Sequence, residues 1–287
     1  HVVALIELLA RFDEEQNMDS VRTLQRAGVK VLNGIRDLKV HAKMALVERK
    51  EGHEHRGYAY IGTGNLNETT ARLYSDMGLF TSHPEIVNDA RSIFSFLLNT
   101  HKHFTCKRLL AAPYYMRQYF TELIEKEISN AKKGLPAYIH AKCNTLTDEK
   151  MIRHLYLASQ AGVEVKMIVR GACCLIPQLT GVSENIEVIS IVDRFLEHAR
   201  LFIFCSGDKK KIYISSADWM TRNLDNRLEV AAPILDENIK QTLSHIFYIK
   251  YFGNVTGKPL TQLGVSTYLS RPGPYKATAQ EPWSREV

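Results

Sequence analysis

The sequence predicts an α/β fold made of two tandem halves, each with a mixed sheet flanked by helices. Two observations support this class. Short apolar runs of strand length alternate with amphipathic helical stretches over residues 2–252, which is the pattern of α/β architecture. A group of motifs near the start of the chain also recurs 157 residues later. A repeat of that length indicates duplicated domains, predicted over residues 1–102 and 103–287.

The first half contains four predicted strands and three predicted helices. The strands are short apolar or alternating runs, at residues 2–9, 29–32, 40–48 and 57–61. The helices show spaced apolar residues, at residues 13–26, 67–73 and 85–100. Ala27-Gly28 marks the end of the first helix.

The second half repeats this alternation. Its predicted helices cover residues 114–132, 148–160 and 238–252, and its predicted strands cover 137–143, 163–169 and 186–192. Residues 199–204 and 211–215 are predicted to form a hairpin around Gly207-Asp208. The tail after Gly257 is rich in Pro, Gly and Ser and is predicted to be irregular.

Composition excludes several classes of protein. Hydrophobic residues make up 45% and charged residues 24% of the 287-residue chain, which excludes disorder, collagen and coiled coil. No apolar run reaches the roughly 18–20 residues of a membrane span. Five cysteines without a C-x-x-C pair disfavour a disulfide framework or a zinc ribbon,, so a reducing, cytoplasmic location is expected. The net charge of +6 fits an anionic ligand,. The chain starts without Met inside an apolar strand pattern, which suggests a fragment.

The recurring motif is a histidine followed two residues later by a fixed cation. The two copies are His41-Ala42-Lys43 and His198-Ala199-Arg200. Residues i and i+2 of a strand project to the same side, so each histidine is expected beside its cation. A nitrogen nucleophile or base next to a cation suits phosphoryl transfer, in which cations hold the negative oxygens while phosphorus is attacked.

Each copy has matching residues on both sides of the motif. Downstream lies a turn of small residues that ends in an amide or an acid, Asn65 in Gly62-Thr63-Gly64-Asn65 and Asp218 in Ser215-Ser216-Ala217-Asp218. Upstream lies an arginine after an apolar strand, Arg11 in the first copy and Arg170 in the second. A buried cation is costly unless it is paired, which favours an anionic partner for Arg170, although Asp193 could serve instead.

These motifs resemble the phospholipase D superfamily, whose mark is a doubled H-x-K followed by G-[ST]-x-N. The longer match is to the family of bacterial polyphosphate kinases that form a phosphohistidine. The stretches that carry it are ARFDEE (10–15), HAKMALV (41–47), IGTGNLNETTARLYSDMGLFT (61–81), IVRGACCL (168–175), RFLEHARLFIF (194–204) and YISSADWMTRNLDNRLEV (213–230). The resemblance implies two phospholipase D-like domains and reversible transfer of the terminal phosphate of ATP to polyphosphate.

The resemblance also implies residue roles. His41 would carry the phosphate and His198 would assist the transfer at the nucleotide, which Tyr74 and Arg170 would also contact. Lys43 and Arg200 would act with the histidines, and Asn65 and Asp218 would bind phosphate or orient the site. Arg11 would lie at a magnesium–phosphate site; since arginine has no lone pair for a metal, we interpret it as a phosphate clamp beside Mg²⁺.

Several alternatives stay open at this stage. The fold could serve a phosphodiesterase that acts on lipid or nucleic acid, or the chain could be an inactive fragment that binds polyanions. Tyr74 could pack in a core, Asn65 could only form a turn, and Arg222 and Arg227 could be surface charges or line a polyanion path. The expected partners are ATP, ADP and polyphosphate in a homo-oligomer, with no nucleic acid. A peripheral contact with a membrane is compatible with the sequence.

Overall fold

The computed structural model describes residues 1–7, 14–207 and 209–252, and for residues 14–17 it describes the helix without side chains. The helices in this part of the chain are α1 (Glu14–Arg26), α2 (Glu68–Leu73), α3 (Pro84–Leu98), α4 (Met116–Lys132), α5 (Glu149–Gln160), α6 (Thr221–Asn226) and α7 (Glu237–Phe252). The strands of the first half are β1 (Val3–Leu5), β2 (Lys30–Leu32), β3 (Lys39–Val40), β4 (Lys43–Glu51), β5 (Glu54–Gly62), β6 (Tyr74–Ser75) and β7 (Gly78–Thr81). Those of the second half are β8 (Leu110–Ala112), β9 (Tyr138–Cys143), β10 (Glu164–Val169), β11 (Ile186–Ile189), β12 (Leu196–Glu197), β13 (Arg200–Phe204), β14 (Lys211–Ser215) and β15 (Arg227–Pro233).

The largest sheet is mixed and has eight strands. Its order is β11-β10-β9-β13-β14-β15-β3, with β8 also paired to β15. The pairs β9–β10 and β10–β11 are parallel, and β13 and β14 form the antiparallel hairpin that the sequence predicted. Alternate residues of β13 face opposite sides of the sheet, as strand geometry requires. Phe202 and Phe204 pack with α4 and α5 on one side, and Leu201 and Ile203 pack with the first half and α7 on the other.

The first half divides its strands between smaller sheets. Strands β4, β5 and β7 form an antiparallel sheet, and β1 and β2 form a parallel pair. Helix α3 covers the three-stranded sheet with Ile86, Ala90 and Ile93, which are fully or almost fully buried. Both halves therefore combine strands with covering helices, and the predicted α/β class is confirmed.

Two short strands join the halves in a crossed arrangement. Strand β3, which precedes His41, pairs in parallel with β15 of the second half. Strand β12, which precedes His198, pairs in parallel with β6 of the first half. The backbone amide of His41 donates to Leu228 O at 2.9 Å, and that of His198 donates to Ser75 O at 3.2 Å. Each histidine segment is thus held by the main chain of the other half.

Most predicted elements are present, and the differences have local causes. Asn67 and Asp148 accept the amide hydrogen bonds that cap α2 and α5, as their side chains favour. The predicted strand over 40–48 is interrupted at His41-Ala42, where both backbone amides bond to Leu228 O. The strands β8 and β15 were missed. The tail after Gly257 lies outside the described residues. In the described part of the chain, the helices are too short or too polar to cross a membrane.

Candidate functional site

The first histidine of the motif is held by a carboxylate from the other half. His41 Nδ1 lies 2.9 Å from Glu229 Oε2, and the Glu229 side chain is fully buried. Ser216 Oγ donates to the same carboxylate at 2.5 Å, and Asn223 Nδ2 donates to its other oxygen at 2.5 Å. Glu229 is therefore fixed in place by neutral donors, and it fixes the imidazole ring in turn.

The second histidine has the same environment with the halves exchanged. His198 Nδ1 lies 2.9 Å from Asp76 Oδ1, and Thr63 Oγ1 donates to that oxygen at 2.6 Å. The acid follows the hydroxyl by 13 residues in both halves. The site therefore consists of two hydroxyl–carboxylate–histidine triads. In each triad, the acid and the hydroxyl of one half hold the histidine of the other half.

This geometry sets the tautomer of each ring. An ionised carboxylate can only accept a hydrogen bond, so a neutral histidine paired with it carries its proton on Nδ1 and keeps a lone pair on Nε2. Burial lowers the pKa of His41 and outweighs the raising effect of Glu229. Burial likewise lowers the pKa of His198 against the effect of Asp76. Both rings therefore favour the neutral form with the lone pair on Nε2, and in His198 the Arg200 Nη1 atom lies 3.1 Å from that nitrogen.

Each cation of the motif donates a hydrogen bond to the carbonyl oxygen of the histidine two residues before it. The Lys43 ammonium donates to His41 O, and Arg200 Nη1 donates to His198 O at 2.9 Å. Burial lowers the pKa of Lys43 to about 7, partly offset by Glu229, and Asp76 also acts on it. Because Lys43 interacts electrostatically with the acids of both triads, Glu229 and Asp76, the two triads lie around one common region.

Arg200 is the buried centre of the site. Its guanidinium makes a two-pronged pair with Asp218, with Nε–Oδ1 at 3.1 Å and Nη2–Oδ2 at 3.0 Å. Its Nη1 also donates to Thr63 O of the first half at 3.2 Å. With its amide oriented to satisfy its neighbours, Asn144 accepts from Arg200 Nη2 at 2.7 Å. Asp218 is thus occupied with Arg200, and this geometry supports its role in orienting the cation rather than direct contact with phosphate.

The remaining predicted residues lie around this centre or outside the described residues. The Tyr74 ring centroid is 5.1 Å from that of His198. Arg170 Nε donates to Glu197 O at 3.1 Å, next to His198, and burial lowers its pKa. Asn65 is exposed after the buried Gly64. Arg11 lies outside the described residues, so its predicted phosphate contact stays a prediction.

The described carboxylates at the site do not form a magnesium cage. Asp76 and Glu229 are bonded to histidines, and Asp218 is bonded to Arg200. Within residues 1–7, 14–207 and 209–252, there is no group of three potential metal ligands. Mg²⁺ commonly binds through substrate phosphates with few protein ligands, and the described residues are compatible only with that mode.

Gly64 is required by the close approach of Asp76. A Cβ atom at this position would lie 1.8 Å from Asp76 Oδ2, so Gly64→Ala must displace the carboxylate from His198 and Thr63. We expect group transfer at the histidines to fall by roughly 10²–10⁴-fold, the usual effect of disturbing an acid–base group. The transfer rate should be measured beside Gly52→Ala, which strains a left-handed glycine in the turn between β4 and β5 but brings its Cβ within 4 Å of nothing. Equal transfer rates in the two variants would contradict this prediction.

The two acids that hold the histidines were missed by the sequence reasoning. The signal was present, because the 13-residue spacing from Thr63 to Asp76 is repeated from Ser216 to Glu229. The buried Asn144, whose backbone amide donates to Asp218 at 2.7 Å, was missed as well.

The fold and site define a two-half α/β protein with a duplicated histidine–carboxylate centre suited to group transfer. The family model for polyphosphate kinase C-terminal domain 1 matches residues 1–103, and that for C-terminal domain 2 matches residues 109–280. The polyphosphate kinase of Salmonella typhimurium is 46% identical over 97% of this chain and 41% of its own length. That of Vibrio cholerae is 43% identical over 97% of this chain and 40% of its own length. The chain belongs to the polyphosphate kinase family, and it spans about two fifths of the length of these relatives.

Solved structures agree with this assignment. The crystal structure of polyphosphate kinase from Porphyromonas gingivalis matches with a TM-score of 0.80 and 42% identity, over 88% of this chain and 39% of that one. A phosphatidylserine synthase from Haemophilus influenzae matches with a TM-score of 0.54 over 98% of this chain and 86% of that one. Its sequence identity is only 9%, so that likeness concerns the fold alone.

Proposed function

We propose that this chain carries the catalytic centre of a polyphosphate kinase, which transfers the terminal phosphate of ATP reversibly to polyphosphate through His41. The observation that carries the proposal is the hydrogen bond between His41 and Glu229. The Nδ1 atom of His41 is held by the buried Glu229 at 2.9 Å, which leaves Nε2 with a lone pair for attack on phosphorus. Membership of the polyphosphate kinase family supports ATP and polyphosphate as the substrates of this chemistry.

The proposed transfer has two steps. The Nε2 atom of His41 attacks the γ-phosphorus of ATP, the bond between that phosphorus and the bridging oxygen breaks, and ADP leaves with the bond electrons. A terminal oxygen of polyphosphate then attacks the phosphorus, the N–P bond breaks and His41 regains its lone pair. The Nδ1 proton stays directed at Glu229, which stabilises the positive ring while it carries phosphate.

Other side chains have supporting roles in this proposal. Lys43 and Arg200 stabilise the phosphoryl oxygens, since both cations lie beside the histidines. The negative phosphates of bound ATP raise the pKa of a neighbouring histidine, so His198 can take up a proton on Nε2 and protonate or steady the ADP leaving oxygen. Tyr74 and Arg170, which lie next to it, contact the nucleotide. Asn65 is exposed beside the site and binds phosphate. Mg²⁺ held by the phosphates of ATP would neutralise part of their charge, and Arg11 would clamp phosphate beside it.

The proposal extends to organisation and location. The domains are assigned to residues 1–102 and 103–287, and the chain acts in the cytoplasm as part of a homo-oligomer. The repeated motifs support the two domains, and five cysteines without a C-x-x-C pair support a reducing compartment,. The homo-oligomer is proposed from the resemblance alone.

Labelling of the full-length protein with γ-³²P-ATP tests the proposal. We expect acid-labile, base-stable label on His41, which His41→Gln abolishes. The His198→Gln variant should label slowly, because a leaving-group acid contributes roughly 10²–10⁴-fold in rate, but it should still label on prolonged incubation. Label that survives in His41→Gln and vanishes in His198→Gln would reverse the two roles. A phosphodiesterase would require no ATP and would give no label from it.

Removal of the Tyr74 ring should affect ATP more than polyphosphate. Stacking of an aromatic ring on a base contributes roughly 1–3 kcal/mol, and polyphosphate offers no base. We therefore expect Tyr74→Ala to raise the dissociation constant for ATP by roughly 5–150-fold, measured by calorimetry, with little change for polyphosphate. Tyr114→Ala is a control, because this tyrosine is exposed and packs on Phe96 and Phe104. Equal losses for both ligands would assign Tyr74 a packing role.

A further inference from the structure

A second basic cavity lies at the end of the large sheet opposite to the candidate site. Strand β14 begins there with Lys211 and leads to Ser215 and Ser216 at the site, while β15 runs from Glu229 at the site to Pro233 at the cavity. The cavity has a volume of about 230 Å³, many times the ~10–15 Å³ that one water needs. The charged side chains that line it are Lys107, Arg108, Lys210, Lys211 and Lys240, and two tyrosines, Tyr119 and Tyr213, also contribute.

The positive charges in this cavity are only partly balanced. Arg108 pairs with Glu85, and Lys240 pairs with Glu237. The nearby Asp236 uses its carboxylate to cap α7 through the amide of Ile239. Three other lysines line the cavity, namely Lys107, Lys210 and Lys211. Their ammonium groups have no carboxylate of the described residues within 4.0 Å. Like charges gathered around one space repel each other, and a bound polyanion removes that cost.

A hydroxyl donor completes the lining. The buried Tyr213 donates its hydroxyl hydrogen to Tyr119 Oη at 3.1 Å, which leaves the Tyr119 proton available for an acceptor in the cavity. Burial raises the pKa of Tyr213 far above its usual range, so Tyr213 remains a donor. The Lys211 ammonium lies over the Tyr119 ring, 5.6 Å from its centroid. Ammonium and phenol donors around a space of this size suit the oxygens of phosphate groups.

We propose that this cavity binds a segment of an inorganic phosphate chain at a site separate from the histidines. The inference rests on the proposed function for the identity of the anion. Lys211 is five residues from Ser216, so the cavity lies about 16 Å along the strand from the site. A chain anchored there keeps its free end near the protein between transfers, because binding at a second point raises the local concentration of the end that reacts.

Protection of lysines from acylation tests the proposal on the unmodified full-length protein. Tripolyphosphate is the probe, because it carries the repeated phosphate groups without a nucleoside. We expect it to reduce acetylation of Lys107, Lys210 and Lys211 at least roughly fivefold by mass spectrometry, while the exposed Lys132 and Lys133 are modified as before. Unchanged acetylation of the three cavity lysines would overturn the proposal.

Charge removal gives an independent measurement. The triple variant Lys107→Gln, Lys210→Gln, Lys211→Gln is expected to bind long polyphosphate roughly tenfold more weakly, with Lys50→Gln, Lys132→Gln, Lys133→Gln as the control of equal charge. Labelling of His41 by ATP should not change in either variant. Equal affinity in both variants, or protection by an oligonucleotide and not by tripolyphosphate, would contradict the inference. Protection without any label on His41 would refute the proposed function and leave the anion site standing.

Discussion

Glu229→Gln is expected to lower the rate of phosphate transfer to His41 by about 10³–10⁴-fold, although only one oxygen is exchanged for a nitrogen. The carboxylate keeps the proton of His41 on Nδ1, whereas an amide can turn its NH₂ toward Nδ1 and favour the opposite tautomer. Nε2 would then carry the proton and have no lone pair for phosphorus. The rate should be measured as label from γ-³²P-ATP, and ¹⁵N NMR of histidine should show the proton on Nε2 of His41.

The chain offers a matched control for this change. His140 Nε2 lies 3.2 Å from Glu164 Oε1 on a part of the sheet away from the site, so Glu164→Gln alters another histidine–carboxylate pair. It should leave the label on His41 unchanged. A Glu229→Gln variant that labels as fast as Glu164→Gln would show that the tautomer of His41 does not depend on Glu229.

Asp218→Asn is expected to destabilise the fold by about 3–5 kcal/mol, because it leaves a buried guanidinium without its charged partner. Arg200 is only 3% exposed, so water cannot replace the lost carboxylate. The free energy of unfolding should be measured by denaturant titration. Asp19→Asn is the control, since Asp19 and its partner Arg22 are 75% and 63% exposed, and such a pair contributes about 0–1 kcal/mol. Losses of similar size in both variants would contradict the central role of the Arg200–Asp218 pair.

The sequence predicted the elements of the fold better than their connections. Helices such as α3 and α5 follow from a local apolar period and from capping residues, which a single sequence displays. The pairings of β3 with β15 and of β6 with β12 involve only two residues on each strand. Strands β3, β6 and β12 are themselves two residues long, too short to show any period. Their partners are distant in the chain, so no local pattern could indicate them.

In the candidate site, too, local patterns could be predicted and contacts between distant residues could not. The repeated motif identified the histidines and cations because it lies in short, matched stretches. The roles of Asp76 and Glu229 depend on contacts across 122 and 188 residues, which the motif itself does not contain. Glu197, which directly precedes His198, pairs with Lys142 and Lys250, since neighbouring residues of a strand project to opposite sides. Alternation along a strand is a local property and could be inferred.

Each half supplies the acid that holds the histidine of the other half, and this constrains how the two halves can evolve. Thr63 and Asp76 of the first half serve His198, and Ser216 and Glu229 of the second half serve His41. A substitution of the acid in one half therefore removes the hydrogen-bond partner of the histidine in the other half. In many duplicated pairs, one copy can lose its catalytic residues and persist as a scaffold. Neither half can do so here, because the loss of its acid would also disable the histidine of the other half.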